Sequence, residues 1–184
     1  PEVPAVLKQE YLESALGPAV KDSWYMGIDF DTVEPVLLYS LKDGYLVISG
    51  KENSGRSNYV RYLFRCMERR IFDEPVEAYV IDGFDQKLGL LKDYGFVEQY
   101  TTDASEFEMI VDRIESTCED RADRYQTEGP EFLEEEPLLL VVVNHSAVYD
   151  ASKTTKEVCA QWKNIMKSYK NMKVLFILSE IENA

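Results

Sequence analysis

Residues 45–57 read Tyr45-Leu46-Val47-Ile48-Ser49-Gly50-Lys51-Glu52-Asn53-Ser54-Gly55-Arg56-Ser57, and this stretch decides the fold. Tyr45 to Ser49 runs apolar, as a fully buried strand does, and Asp43-Gly44 supplies the turn before it. From Ser57 to about Arg70 the apolar residues Val60, Leu63, Phe64 and Met67 fall on one face of a helix. Between strand and helix lies a loop opened by Gly50 and closed by Gly55. The local order is therefore buried strand, glycine-containing loop, amphipathic helix.

That loop has the G-x4-G-[K]-[S/T] frame of a Walker A phosphate loop, with Arg56 where lysine is expected and Ser57 in the hydroxyl position. In a working loop the glycines let backbone N–H groups curl around phosphates and the helix N-terminus adds its dipole. The lysine reaches the β/γ-phosphates, and the hydroxyl binds Mg²⁺. A guanidinium is wider and planar where an ammonium is a compact charge, so Arg56 keeps attraction for phosphate and gives up the in-line geometry. Lys51 offers a second charge, although solvent exposure is the plainer reading for both Lys51 and Glu52.

The other half of an ATP site lies at the end of a later apolar strand, where an Asp holds Mg²⁺ and a following Glu polarises water. Leu138 to Val143 is that strand, and it ends in Asn144-His145. Asn144 is neutral and cannot offset a divalent cation. His145 is the only histidine, and a lone histidine is more often structural than catalytic; general-base loss alone costs about 10²–10⁴ in rate. The candidate nucleotide-contacting residues are thus Gly50, Lys51, Asn53, Ser54, Gly55, Arg56 and Ser57, with Asn144 and His145 at the second half. No catalytic residue and no metal ligand is expected. No cofactor is firmly expected either, with ATP a weak ligand at best.

Outward from this centre, Val76 to Ile81 reads as a second buried strand ending at Asp82-Gly83. Asp103 followed by Glu106 has capping-box spacing and opens a long helix with the stripe Phe107, Ile110, Val111, Ile114 and Cys118. The far end of that helix is charged, with Arg121, Asp123 and Arg124, and Glu128 to Pro137 reads as a solvated acidic loop. Lys153 to Tyr169 is an amphipathic helix, and Val174 to Leu178 a further strand. Trp24 to Phe30 and Val36 to Tyr39 read as two strands around an acidic turn, and residues 1–23 as a lead-in segment broken by Gly17-Pro18. Alternating strands and helices over residues 24–184 predict one α/β domain, a mainly parallel sheet with helices on both faces. The sequence stops just after a strand, which reads as a domain lacking a C-terminal piece.

Composition narrows the function classes. The 184 residues are 45% hydrophobic, ordinary for a globular fold, and acids outnumber bases 34 to 20, a formal charge of −14. Such a balance argues against gripping a nucleic-acid backbone, where counterion release at clustered Lys and Arg supplies most of the affinity. It argues equally against a bare anionic membrane surface. No apolar run approaches the roughly 20 residues that cross a bilayer, and the N-terminus lacks the basic and apolar regions of a signal peptide. Cys66, Cys118 and Cys159 are far apart and read as buried small hydrophobes.

With these motifs in place, a resemblance can be stated. Tyr25-Met26-Gly27-Ile28-Asp29, the Gly50 to Ser57 loop and Tyr79-Val80-Ile81-Asp82-Gly83, in that order, resemble the FtsK/SpoIIIE group of P-loop ATPases. So do the Leu88 to Tyr94 segment, the long Arg-ended helix and the Leu138 to Asn144 strand, so that the resemblance spans nearly the whole chain after Met26. Within that group, the eroded loop and the acidic charge are similar to the C-terminal ATPase-like domains of the type VII secretion protein called EssC or EccC. The resemblance implies a RecA/FtsK-like P-loop fold and a soluble domain of a membrane-anchored parent on the cytoplasmic side of the bacterial cell membrane. It also implies recruitment of secreted WXG-type helical-hairpin proteins, contact with sibling ATPase domains, and a homo-oligomeric parent. A non-catalytic or weakly nucleotide-binding role in recruitment and regulation is the implied function. The alternative is a slow ATPase in which Arg56 and Lys51 replace the missing lysine.

Overall fold

The computed structural model describes residues 24–28, 35–38, 44–68, 75–144 and 156–181. Strands β1 (Trp24–Ile28) and β2 (Pro35–Leu38) form an antiparallel pair. The remaining elements are β3 (Tyr45–Gly50), α1 (Arg56–Glu68), β4 (Val76–Ile81), β5 (Val97–Thr101), α2 (Ala104–Glu128), β6 (Leu138–Asn144), α3 (Lys156–Ser168) and β7 (Val174–Ile181). Short 3₁₀ turns occupy Gly89–Asp93 and Glu131–Glu134. β3 to β7 make one five-stranded parallel sheet in the order β3-β7-β6-β4-β5, so each neighbouring pair is joined through a crossover. This is the α/β architecture the alternating pattern predicts.

The sheet is parallel because both faces are covered, and β6 shows why its sequence is continuously apolar: all seven of its residues are buried. Leu139, Val141 and Val143 pack with Tyr79, Ile81 and Phe176 against α2 (Phe107, Ile110, Val111, Ile114, Cys118) and α3 (Val158, Trp162, Ile165). Leu138, Leu140 and Val142 point the other way and meet Val60, Leu63, Phe64 and Met67 of α1, together with Leu88 and Leu91. Each fully buried Val, Leu, Ile or Phe contributes about 1.5–3 kcal/mol relative to exposure, so these two layers hold the sheet. The helix stripes read from the sequence are the faces that do this packing.

Three regions depart from the sequence reading. β5 was not foreseen, because Val97-Glu98-Gln99-Tyr100-Thr101 is half polar; it is an edge strand with one neighbour and needs no continuous apolar run. Arg121, grouped with a charged helix end, is buried at 3% exposure and donates from Nη1 to the carbonyls of Met172 and Lys173 and from Nη2 to that of Pro137. Burial lowers its pKa, and the three carbonyls let a guanidinium tie α2 to the approaches of β6 and β7. The acidic loop is not merely solvated: it forms a 3₁₀ turn, and Glu136 accepts from Arg124 at 2.8 Å.

Asp103 does cap α2, accepting from the Ser105 backbone N–H at 2.8 Å, and the Ser105 hydroxyl and N–H hold its carboxyl below the usual range. Cys66 and Cys118 are buried thiols, and burial pushes that of Cys118 up to about 12. No helix among the described residues is long and apolar enough to cross a membrane, and no His/Cys/Asp/Glu group among them could hold a metal ion. The lead-in at 1–23 and His145 lie outside the described residues.

Candidate functional site

The carboxyl ends of the parallel strands carry two clusters. The first is the loop after β3. Gly50 ends the strand, the Ser54 N–H donates to the Lys51 carbonyl at 3.2 Å, and Asn53 and Gly55 take positive φ (60° and 93°) to turn the chain into α1. A Cβ on Gly50 would stand 2.5 Å from Ser54 Oγ and 3.5 Å from Arg56 Cγ, so a side chain there would require the Ser54 hydroxyl to turn away. The loop therefore has the strand-loop-helix course expected, but its inner side is lined closely by its own Ser54 and Arg56 side chains.

Arg56 is the first residue of α1, and its guanidinium turns toward the sheet: Nη1 donates to Ser179 Oγ on β7 at 2.9 Å. Ser179 is buried and sits in register with Ile48 of β3 on one side and Asn144 of β6 on the other. Arg56 Nε is buried with no hydrogen-bond partner among the described residues. Arg61, one turn after Ser57, donates from Nη2 to the Lys87 carbonyl at 2.7 Å and from Nη1 to Asn58 Oδ1 at 3.2 Å; its Nε is likewise unpartnered. Lys87 lies near Glu52 (3.9 Å) and Asp85 (3.8 Å).

Together Asn53, Ser54, Gly55, Arg56, Ser57, Asn58, Arg61 and Lys87 line an open basin of about 270 Å³. It holds three cations and no carboxylate, at the N-terminus of a 13-residue helix. Chemically this is a place for an anion. Lys51 and Glu52 are exposed, as the plainer reading of them has it.

The second cluster is deep. Asp82 follows β4, is 0% exposed, and accepts four hydrogen bonds. Oδ1 takes the Gly83 N–H at 2.8 Å and the Asn144 side-chain amide at 2.9 Å; Oδ2 takes the Leu88 N–H at 2.9 Å and the Tyr100 hydroxyl at 2.7 Å. Burial first, then the Asp82 hydrogen bond and charge, push the Tyr100 phenol well above its ordinary range. Asn144, at the end of β6, is thus bound sideways to a neighbouring strand, with Ile81 and Val143 paired in register just before the two residues.

Of the residues singled out in the sequence, Asn53 to Ser57 share the basin, while Asn144 joins a different cluster and His145 is not described. Arg61, Lys87, Asp82, Tyr100 and Ser179 were not foreseen as site residues. Arg61 had a usable signal, standing four residues from Ser57 and so on the same helix face. Lys87 and Ser179 had none, because only the strand order brings them beside the loop.

The fold is similar to that of solved P-loop ATPases. Thermomonospora curvata EccC (ATPases 2 and 3) in complex with a signal sequence peptide superposes at a TM-score of 0.75 with 18% identity, over 97% of this chain and 32% of that one. EssC (ATPases 2 and 3) from Geobacillus thermodenitrificans gives 0.75 and 19%, over 97% and 33%. The cytoplasmic domain of EssC gives 0.79 and 18%, over 97% and 35%. The chain therefore spans about a third of the length of these solved proteins. No protein-family model and no curated protein matches the sequence.

Proposed function

We propose that this chain is a non-catalytic, at most weakly nucleotide-binding ATPase-like domain of a type VII secretion motor, acting in substrate recruitment and in regulation of export. The fold shared with EccC and EssC domains, together with the ordered motifs around Asp29, Gly50–Ser57 and Asp82-Gly83, supports the family reading. On this reading the chain belongs to a membrane-anchored parent, works on the cytoplasmic side of the cell membrane, and meets sibling ATPase domains and secreted helical-hairpin proteins. The EccC structure with a signal sequence peptide supports the recruitment part. No nucleic acid is expected as a partner of a chain at −14.

The observation that carries the non-catalytic part is the use to which the site's side chains are put. Arg56 is spent on Ser179, and Asn144 on Asp82, so the positions that would reach phosphate and magnesium are both engaged within the protein. The degenerate Walker A residues Gly50 to Ser57 retain a basin for anions, and Asn144 lacks the charge that magnesium requires. A slow ATPase, with Arg56 and Lys51 standing in for lysine, is the competing reading.

Titration with a fluorescent ATP analogue, with and without Mg²⁺, separates the two. Weak binding that magnesium does not strengthen, with no phosphate release, is the expected result. Micromolar, magnesium-dependent binding with phosphate release would establish the slow ATPase instead. The same titration on Arg56→Lys/Asn144→Asp/His145→Glu reports whether the frame alone suffices. Pull-down of secreted proteins with and without their last residues tests recruitment, and indifference to those residues would refute it.

A further inference from the structure

The segment from Gly83 to Leu88, between β4 and the 3₁₀ turn at Gly89–Asp93, touches both clusters. Its ends are buried, Leu88 in the core layer with Val60, Leu63 and Phe64. Phe84, Asp85 and Gln86 between them are exposed, Phe84 at 75%, so their side-chain packing does little to fix the segment. The Gln86 N–H donates to the Gly83 carbonyl at 3.0 Å and the Gly89 N–H to the Gln86 carbonyl at 2.9 Å, with Gln86 at φ 51°. One carboxylate holds both ends: Asp82 Oδ1 takes the Gly83 N–H and Oδ2 the Leu88 N–H. That carboxylate is itself fixed from two other strands, by Asn144 of β6 and Tyr100 of β5.

Lys87 directly precedes the clamped Leu88 N–H. Its carbonyl accepts from Arg61 Nη2 at 2.7 Å, and its side chain lines the basin with Arg56 and Arg61. Two of the basin's three cations therefore depend on where the Lys87 backbone lies. We infer that Asp82 is a positioning residue for the basin, a role that rests on the basin being the anion site proposed above. Asp82 touches no ligand. It fixes the Gly83 to Leu88 segment, and through that segment it holds Lys87 and Arg61 where an anion meets them.

The role requires a carboxylate, because two backbone donors need two acceptor oxygens. In Asp82→Asn the amide NH₂ can face the Tyr100 hydroxyl, which accepts as well as donates, but the Leu88 N–H only donates. The bonds from Gly83 and Asn144 to Oδ1 survive, and the Leu88 end is released. The substitution thus loosens the segment beside Lys87 and leaves the rest of the cluster in place.

The test is calorimetric titration of the 184-residue chain with metal-free inorganic tripolyphosphate at low salt. Asp82→Asn is expected to weaken binding about fivefold, more than loss of the Lys87 ammonium alone, because Arg61 shifts as well. In Asp82→Asn/Lys87→Ala the total loss should stay near about fivefold; a loss equal to the product of the two single losses would mean independent effects and overturn the proposal. Ile114→Val, in the core layer on the other face of the sheet, lowers Tm and should leave the affinity unchanged. An equal affinity loss in Ile114→Val would reduce the Asp82 effect to general destabilisation. The coupling also runs in reverse, so saturating tripolyphosphate should slow hydrogen exchange at the Leu88 amide about fivefold in the unsubstituted chain, a measurement that stands if Asp82→Asn fails to fold. Unchanged affinity in Asp82→Asn, or unchanged exchange at Leu88, would overturn the role. No tripolyphosphate binding by the unsubstituted chain would overturn it together with the anion basin, whereas the non-catalytic reading is judged separately by magnesium dependence and phosphate release.

Discussion

The loop after β3 and the Asp82 cluster stand at the same end of one sheet, and they balance their polar groups in opposite ways. The loop basin has donors in excess: Arg56 and Arg61 each leave Nε unpartnered among the described residues, and the basin is lined by three cations and no carboxylate. The deep cluster has a buried carboxylate whose two oxygens already accept four bonds. A surplus of donors can accept an anion, whereas a saturated carboxylate has nothing left for a cation. On the function proposed above, the loop is the half that keeps a place for an anion, and the Asp82 cluster is the half used for structure.

The sharpest way to break this contrast is Asp82→Ala. It strands four donors in the interior, and since each unsatisfied buried group costs about 1–3 kcal/mol, a loss of about 4 kcal/mol or more is expected. In a chain of this size that corresponds to a fall in Tm of roughly 10 °C, read by thermal unfolding. A loss below about 1 kcal/mol would show that the cluster is not structural.

Asn144→Asp comes next. It sets a second carboxylate against Asp82 Oδ1, where the amide now donates at 2.9 Å, and should cost about 2–3 kcal/mol at neutral pH. The loss should shrink in acid, where one proton can be shared, and Asp82→Asn should relieve it. If instead millimolar Mg²⁺ raised the Tm of Asn144→Asp by several degrees, the deep cluster would be a metal site one residue away, and the contrast would fail.

Tyr100→Phe removes one hydrogen bond to a carboxylate and should cost about 1–2 kcal/mol. It carries a pH signature as well. The folded-state pKa of Tyr100 is raised from 10.0, so its contribution is fully present below pH 10 and is lost as pH rises through the folded value. Urea midpoints measured upward from pH 10 should therefore fall less steeply in Tyr100→Phe than in the parent.

The smallest effect is expected in the basin. Among the described residues Lys87 makes only long, partly exposed ion pairs, so Lys87→Ala should change stability by less than about 0.5 kcal/mol. Its affinity for inorganic tripolyphosphate should nevertheless fall about threefold, measured by calorimetry at low salt. An unchanged affinity would remove Lys87 from the anion site.

The fold was legible from residues 45–57 outward because a both-faces-buried strand, a glycine loop and an amphipathic helix each have their own period and punctuation. The stripes on α1, α2 and α3, the Asp103 cap and the continuous run of β6 are local signals of that kind, and they fixed which faces pack. β5 escaped because an edge strand need not be apolar, and Arg121 because its three carbonyl partners come from other parts of the chain. The sequence also determined the identities at the candidate site, Arg56 and Asn144, a guanidinium and a neutral amide where the proposed reading expects a lysine and an aspartate. What Arg56 and Asn144 do instead was decided only by the tertiary structure. The strand order β3-β7-β6-β4-β5 sets Ser179 beside the loop and Asp82 beside Asn144, and contacts across strands 62 or 123 residues apart in sequence leave no periodic trace along the chain.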